Sequence, residues 1–253
     1  MLTLLSNRAF PMLSVCTISL TSIQKQMKRI THFFCAGILL CTLALTTACK
    51  SEPKAAEEPI PSTSFKFTMI THPVKNYNAW KPAFMSHDSM RTAYGISKFV
   101  LGRGTDDTTL VFVADKFNDL AKAKEFATSP GLRAAMESAG VTGTATIAFA
   151  EMLRLDTTTN AQKNRVLITH RVKDFDAWLK VYDSEGRSAR TANGLADRAI
   201  ARDLDDPNTV YIAFIVTDRE KANARMQSEE LKKLMTDAGV EGPPTFFFYT
   251  VQD

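Results

Sequence analysis

The stretch Ile70-Thr71-His72-Pro73-Val74-Lys75-Asn76-Tyr77-Asn78-Ala79-Trp80 occurs a second time as Ile168-Thr169-His170-Arg171-Val172-Lys173-Asp174-Phe175-Asp176-Ala177-Trp178, 98 positions later. That period is too long for a solenoid repeat and matches a whole small domain. A chain of 253 residues holds two such domains and a leader.

Each copy reads the same way around this segment. Phe67 to His72 alternates and is rich in β-formers, which predicts a strand. Asn76 or Asn78 can cap the helix that follows. Trp80, Phe84, His87 and Arg91 fall on one face of that helix, and Gly95 ends it. Ser97 to Arg103 and Leu110 to Ala114 predict two strands joined by a polar turn. A second helix opens at Asn118 or Asp119, with a break expected at Pro130-Gly131, and Ala145 to Met152 predicts a fourth strand. The second copy predicts strands at 165–170, 198–203, 210–216 and 245–251. Single helices are expected at 175–192 and 219–237, and a linker at 154–164.

After the shared segment the offset becomes 99. Arg91-Thr92-Ala93-Tyr94-Gly95 matches Arg190-Thr191-Ala192-Asn193-Gly194, and Asp106-Asp107 matches Asp205-Asp206. One added helical residue turns a face by about 100°. A break near Gly186 is therefore expected, so that Arg190 regains the place that Arg91 holds.

The β-α-β-β-α-β order is the ferredoxin-like split unit, with its first and third strands central. Its helices cover one sheet face, so the other needs a partner. This pattern over residues 66–252 resembles the dimeric α+β barrel superfamily, especially its antibiotic-biosynthesis-monooxygenase-like domains. The resemblance implies an α+β fold: two tandem ferredoxin-like βαββαβ repeats packed sheet to sheet as an intrachain dimeric α+β barrel. It implies no single chemistry, because members include cofactor-free oxygenases, haem-degrading enzymes and proteins without known activity. No cofactor is expected here.

The front of the chain reads as an address. Lys28-Arg29, the mostly apolar run 30–45 and Thr46-Thr47-Ala48-Cys49 have the layout of a secretory signal. The end of this segment resembles a bacterial lipobox, with Cys49 the lipidated residue, although Thr46 replaces the usual Leu. Met27 is the expected start of translation. Lys50 after the Cys resembles outer-membrane-directed lipoproteins, facing the periplasm. Residues 49–65, rich in Pro, Glu, Ala and Ser, are expected to form a disordered tether.

Charge and cysteines narrow the partners. Of 31 Lys and Arg, four (Arg8, Lys25, Lys28 and Arg29) lie in residues 1–48, which hold no acid; the remainder balances 27 bases against 27 acids. A nucleic acid partner is not expected. All four cysteines lie at or before Cys49, so the repeats have neither disulfide nor thiolate metal site. The expected partners are a small-molecule ligand and, through the lipid alone, a membrane. The two halves would form a pseudo-dimer in a monomer.

The candidate catalytic residues are His72 and His170, each ending a first strand beside a helix. A neutral imidazole there can act as base or orient a polar ligand. The candidate ligand-binding residues are Trp80, Phe84, Arg91 and Arg103, with Trp178, Tyr182, Arg190 and Arg202. Trp supplies an apolar wall and Arg a counter-charge. Core packing for Trp, a loop hydrogen bond for His and a helix-end role for Arg account for the same pattern. Arg103 and Arg202 could also pair with Asp across strands. The two Asp-Asp pairs lie in hairpin turns, and turn chemistry accounts for them. Three readings remain: a lipid-tethered binder of a small apolar or aromatic molecule, a cofactor-independent monooxygenase-like enzyme with a His base and an Arg, and a structural or interaction protein.

Overall fold

Strand alternation and helix caps place sixteen elements in residues 57–252, the part of the chain that the structure, a computed structural model, describes. The signal segment, Met27, Cys49 and the start of the tether lie outside the described residues. The first half comprises β1 (Ser62–Pro73), α1 (Tyr77–Ser86), α2 (Asp88–Ala93), β2 (Ile96–Gly104), β3 (Leu110–Phe117), α3 (Leu120–Thr128), α4 (Pro130–Ser138) and β4 (Thr146–Leu155). The second comprises β5 (Asn164–Val172), α5 (Phe175–Glu185), α6 (Arg187–Ala192), β6 (Leu195–Asp203), β7 (Thr209–Val216), α7 (Arg219–Gln227), α8 (Glu229–Asp237) and β8 (Val240–Val251).

The order in each half is β-α-α-β-β-α-α-β, the split unit with each helix divided in two. Within each half the first and third strands are central, as the sequence predicts. The free edges then meet. β2 bonds β8 from Gly102↔Val251 to Gly104↔Tyr249, and β4 bonds β6 from Ala150↔Asp203 to Leu155↔Ala199. The result is a closed barrel in the order β1-β3-β2-β8-β5-β7-β6-β4. Closure pairs part of each edge strand, three positions at one seam and five at the other. Gly102 permits one seam, since a Cβ there would stand 2.5 Å from the Tyr249 ring.

Alternation sorts the side chains. Phe67, Met69, Phe112, Ala114, Ala150, Met152, Ala199, Ala201, Tyr211 and Tyr249 point inward as one apolar cluster. The opposite faces carry the helices: Val74, Trp80, Val111 and Val113 pack in the first half, Val166, Trp178, Ile212 and Phe214 in the second. These are ferredoxin-like units arranged as an α+β barrel within one chain.

Three differences from the sequence expectations have physical causes. Order begins before residue 66: Ile60 is buried at 2% exposure against the second half's helix-side core, the Glu57 carboxylate accepts from the Ser188 N–H at 2.7 Å, and β1 starts at Ser62. One apolar residue between two prolines is enough to fasten that end of the expected tether. The helix expected at 219–237 breaks at Ser228, as its counterpart does at Ser129. Both serines are extended (φ −70° and −66°) and cap the next segment, donor to hydroxyl, from Leu231 and Leu132. A serine N-cap is common to both breaks, and in the first half Pro130 at the first helical position adds to it, as expected. The first helix of the first half also divides, at His87, whose Nδ1 lies 2.7 Å from the Ala83 carbonyl oxygen.

The added residue of the second half is absorbed where expected. Gly186 separates α5 from α6 at φ 83°, ψ 152°, and Arg190 is buried like Arg91. That conformation is open essentially to glycine alone. Gly186→Ala is expected to cost about 1–3 kcal/mol of stability, read as a lower urea midpoint; an unchanged midpoint would contradict the strained junction.

Candidate functional site

His72 and His170 each close a first strand on its helix-facing side. Each ring meets its tryptophan edge-on at 5.6 Å, His72 with Trp80 at 66° and His170 with Trp178 at 65°. The ladder continues down the helix. Trp80 stacks on Phe84 at 4.9 Å, and the Arg91 guanidinium lies 4.1 Å over that ring. In the second half Trp178 meets Tyr182 at 5.3 Å, and Arg190 lies 3.9 Å over it. The eight sequence candidates His72, Trp80, Phe84 and Arg91, and His170, Trp178, Tyr182 and Arg190, thus gather into two matching clefts between sheet and helices.

The clefts differ in their charges. Arg190 is saturated: Nε and Nη2 donate to the two Asp197 oxygens at 2.7 and 2.8 Å, and Nη1 donates to the Tyr182 carbonyl at 2.7 Å and to Glu185 at 3.3 Å. Arg225 adds a second ion pair to Glu185 at 2.8 Å. In the first half the position matching Asp197 is Lys98, which pairs with Asp88 at 3.0 Å. Asp115, on the neighbouring strand, is 3% exposed and its Oδ1 has no hydrogen-bond partner. Arg91 Nε also lacks one, although Nη2 donates to Phe84 O at 2.9 Å and to Asp88. The second-half cleft has spent its charges on itself, whereas the first-half cleft retains a buried carboxylate with one oxygen unpartnered.

Burial sets the ionisation of these groups. Both histidines are pushed down from 6.5 to about 4. Neither His72 Nδ1 nor either His170 ring nitrogen has a hydrogen-bond partner. Burial raises the Asp115 carboxyl to about 6 against the opposing pull of Arg91. Both histidines are therefore neutral at pH 7, and burial makes each a weaker base than a free imidazole.

Arg103 and Arg202 do not join either cleft and do not enter the barrel. Arg103 lies 4.7 Å over the Tyr77 ring with Nε donating to Thr108 O, and Arg202 lies 5.0 Å over Phe175. Each covers the first aromatic of its helix, and no Asp across the strand is its partner. In the Asp-Asp pairs, Asp107 accepts from the Thr109 N–H and Asp206 from the Asn208 N–H within their turns, whereas Asp106 pairs with Arg219 and Asp205 with Lys124, each of the opposite half.

A third lined space lies inside the barrel, larger than either cleft; a more open hollow beside Leu132, Met136 and Ile147 measures about 280 Å³ but lies outside barrel and clefts. The barrel space measures about 240 Å³, against about 80 and 60 Å³ for the second and first clefts. Phe67, Phe99, Phe112, Met152, Leu167, Ala213 and Tyr249 supply most of the barrel space's wall. The Tyr211 hydroxyl donates to Asp203 at 2.8 Å. Two arginines, Arg165 and Arg198, also line it. Arg165 Nη1 donates to the Gln162 and Asn164 carbonyls at 2.5 and 2.9 Å, and Arg198 Nη1 to Thr158 O at 3.1 Å.

The sequence reading missed these arginines and Asp115. The available signal was difference rather than likeness between the copies: Arg165 occupies the place of Phe67, and Arg198 that of Phe99. Ladder registers support the match, since Phe67↔Lys116 and Phe67↔Ala150 return as Arg165↔Ile215 and Arg165↔Tyr249. Phe99 and Arg198 each fall at the register shift of their strand.

No protein-family model matches the chain. No curated protein sequence matches it either. Solved structures do resemble it. An anthrone oxidase-like protein aligns at TM-score 0.52 and 14% identity, covering 77% of this chain and 95% of its own. A presumed monooxygenase of Fusobacterium nucleatum aligns at TM-score 0.50 and 11% identity, covering 74% and 92%. A ferredoxin-fold protein of Listeria monocytogenes, described as related to antibiotic biosynthesis monooxygenases, aligns more loosely at 0.42 and 12%, covering 76% and 96%. At these identities the first two establish a shared fold: one chain here has the architecture of those ferredoxin-like barrels.

Proposed function

We propose that this protein binds a small apolar or aromatic molecule inside its barrel. The lumen volume carries this reading. A dry apolar cavity of about 150 Å³ holds a benzene molecule. The lumen exceeds that size at about 240 Å³, and both clefts fall below it. Typical drug-sized sites begin near 300 Å³, so the ligand is compact, on the order of one ring with a substituent. Lumen alanines at 114, 199, 201 and 213 leave the space that larger residues would fill.

The repeated segment and the paired helix breaks support descent of the two halves from one duplicated unit. The N-terminal pattern supports a lipid anchor at Cys49 and a place on the periplasmic side of the outer membrane. The barrel would then be a monomer that meets the membrane only through its lipid.

A second reading is favoured by one observation, the unspent groups of the first-half cleft. Neutral His72, with Asp115 and Arg91 close by, could take a proton from an electron-rich phenol and steady the anion. The cleft would have to widen to admit a ring. Oxygen uptake with phenols, lost in His72→Ala but kept in His170→Ala, separates this enzyme from a pure binder.

Three outcomes test these readings. Isothermal titration with phenol and indole is expected to give saturable binding that Ala213→Phe abolishes and Trp178→Phe leaves intact; the reverse pattern moves the ligand to the cleft. Labelled palmitate is expected on the wild-type protein in cells and not on Cys49→Ser; label on both would remove the anchor. The third is acid sensitivity. Each histidine titrates at about 4 when folded and near 6.5 when unfolded, so the unfolded chain binds more protons in that window and stability falls as pH drops through it. The loss is about 3 kcal/mol per histidine. Asp115, raised from 3.8 to about 6, acts oppositely and regains part of it. Urea midpoints between pH 7 and 4.5 should fall more steeply in Asp115→Asn than in wild type, and least in the His72→Leu/His170→Leu double variant. Equal slopes in all three would show that these groups do not titrate as buried.

A further inference from the structure

The two halves contribute unequal chemistry to one lumen. At positions related by the repeat, the first half supplies Phe67 and Phe99, and the second supplies Arg165 and Arg198. Packing alone does not ask for this exchange. An apolar lumen is filled most cheaply by apolar side chains, and a buried guanidinium costs several kcal/mol unless an opposite charge meets it.

No such charge is present among the described residues. Arg165 is 8% exposed and Arg198 is half-buried, and neither has a carboxylate among its hydrogen-bond partners. Their partners are the carbonyl oxygens of Thr158, Gln162 and Asn164, in or next to the segment that joins the halves. Those contacts orient the guanidinium groups and neutralise nothing. The two positive charges also act on each other: burial and then the charge of Arg198 make Arg165 easier to deprotonate than usual. Asp156, whose backbone N–H donates to the Arg198 carbonyl at 2.9 Å, spends its carboxylate on the Thr158 N–H and hydroxyl and on Arg187, and Asp203 is engaged by the Tyr211 hydroxyl. Across the strand pair, Arg165 stands beside Tyr249, whose ring lies 5.1 Å from Phe112 and stacks on Phe247 at 5.6 Å.

We propose that the lumen takes an aromatic carboxylate, with the ring against Phe67, Phe112 and Tyr249 and the carboxylate between the guanidinium groups of Arg165 and Arg198. The inference rests on the lumen being the binding site and adds the class of ligand. A carboxylate suits it because the planar guanidinium fork matches two carboxylate oxygens. The apolar body suits the aromatic half, and the cavity's size limits that body to about one ring.

Benzoate and benzyl alcohol share the ring and differ in charge. Calorimetric titration of the full-length protein is expected to show benzoate bound at least about tenfold more tightly, the worth of charge-assisted hydrogen bonds. Arg165→Met and Arg198→Met keep the apolar volume and remove the charge. Each is expected to erase the benzoate preference while leaving benzyl alcohol affinity within about twofold. If Arg165→Met lowers the urea midpoint too far to study, Arg165→Lys keeps the charge without the fork and should retain only part of the preference. Equal affinity for both ligands overturns the carboxylate assignment and leaves the lumen reading standing. A preference that survives both Met variants also overturns it, because the charge recognised would then lie elsewhere. Failure of both ligands to bind the wild type overturns the lumen reading and this inference with it.

Discussion

A sheet with helices on one side leaves an apolar face that water will not tolerate, and that constraint governs this molecule. Each half builds such a sheet. Closing β2 on β8 and β4 on β6 buries both inner faces and pairs part of each edge strand. The inside of the barrel therefore belongs to both halves, whereas the space between sheet and helices is built mainly by one half, with Ile60 and Leu153 reaching into the second half's core and Leu204 into the first's. This partition separates the kinds of site the protein contains.

The clefts are local and were formed twice. His, Trp, an aromatic and Arg recur because one helix face and one strand end bring them together. Their charged partners differ. In the second half, Asp197, Glu185 and Arg225 bind up Arg190 and leave a closed network that stabilises more than it offers. In the first, Lys98 replaces the Asp and the carboxylate stands instead at Asp115, with one oxygen unpartnered. The lumen is shared, and its lining holds a contrast that neither half holds alone: two aromatic rings from one and two arginines from the other.

Much of the fold was legible in the chain. The caps at Asn76 and Asp119, the break at Gly186 and the central first and third strands all follow from local chemistry and strand rules. The clefts were legible for the same reason, since Trp80, Phe84 and Arg91 lie on one helix face. Arg103 and Arg202 were misplaced because strand parity alone does not say which aromatic a long side chain will cover. The Ser228 break was missed because an N-cap serine in a polar run looks like any surface serine until its φ and ψ are known.

The repeat, read by itself, determined the unit, its element order and the need for a partner surface, because backbone geometry and apolar periodicity act over a few residues. It could not decide what faces what inside. Arg165 and Arg198 are 33 positions apart and look like ordinary strand arginines. Only barrel closure and the bulge at Arg198 turn both toward one cavity, because inward direction depends on register across strands that lie far apart in the chain.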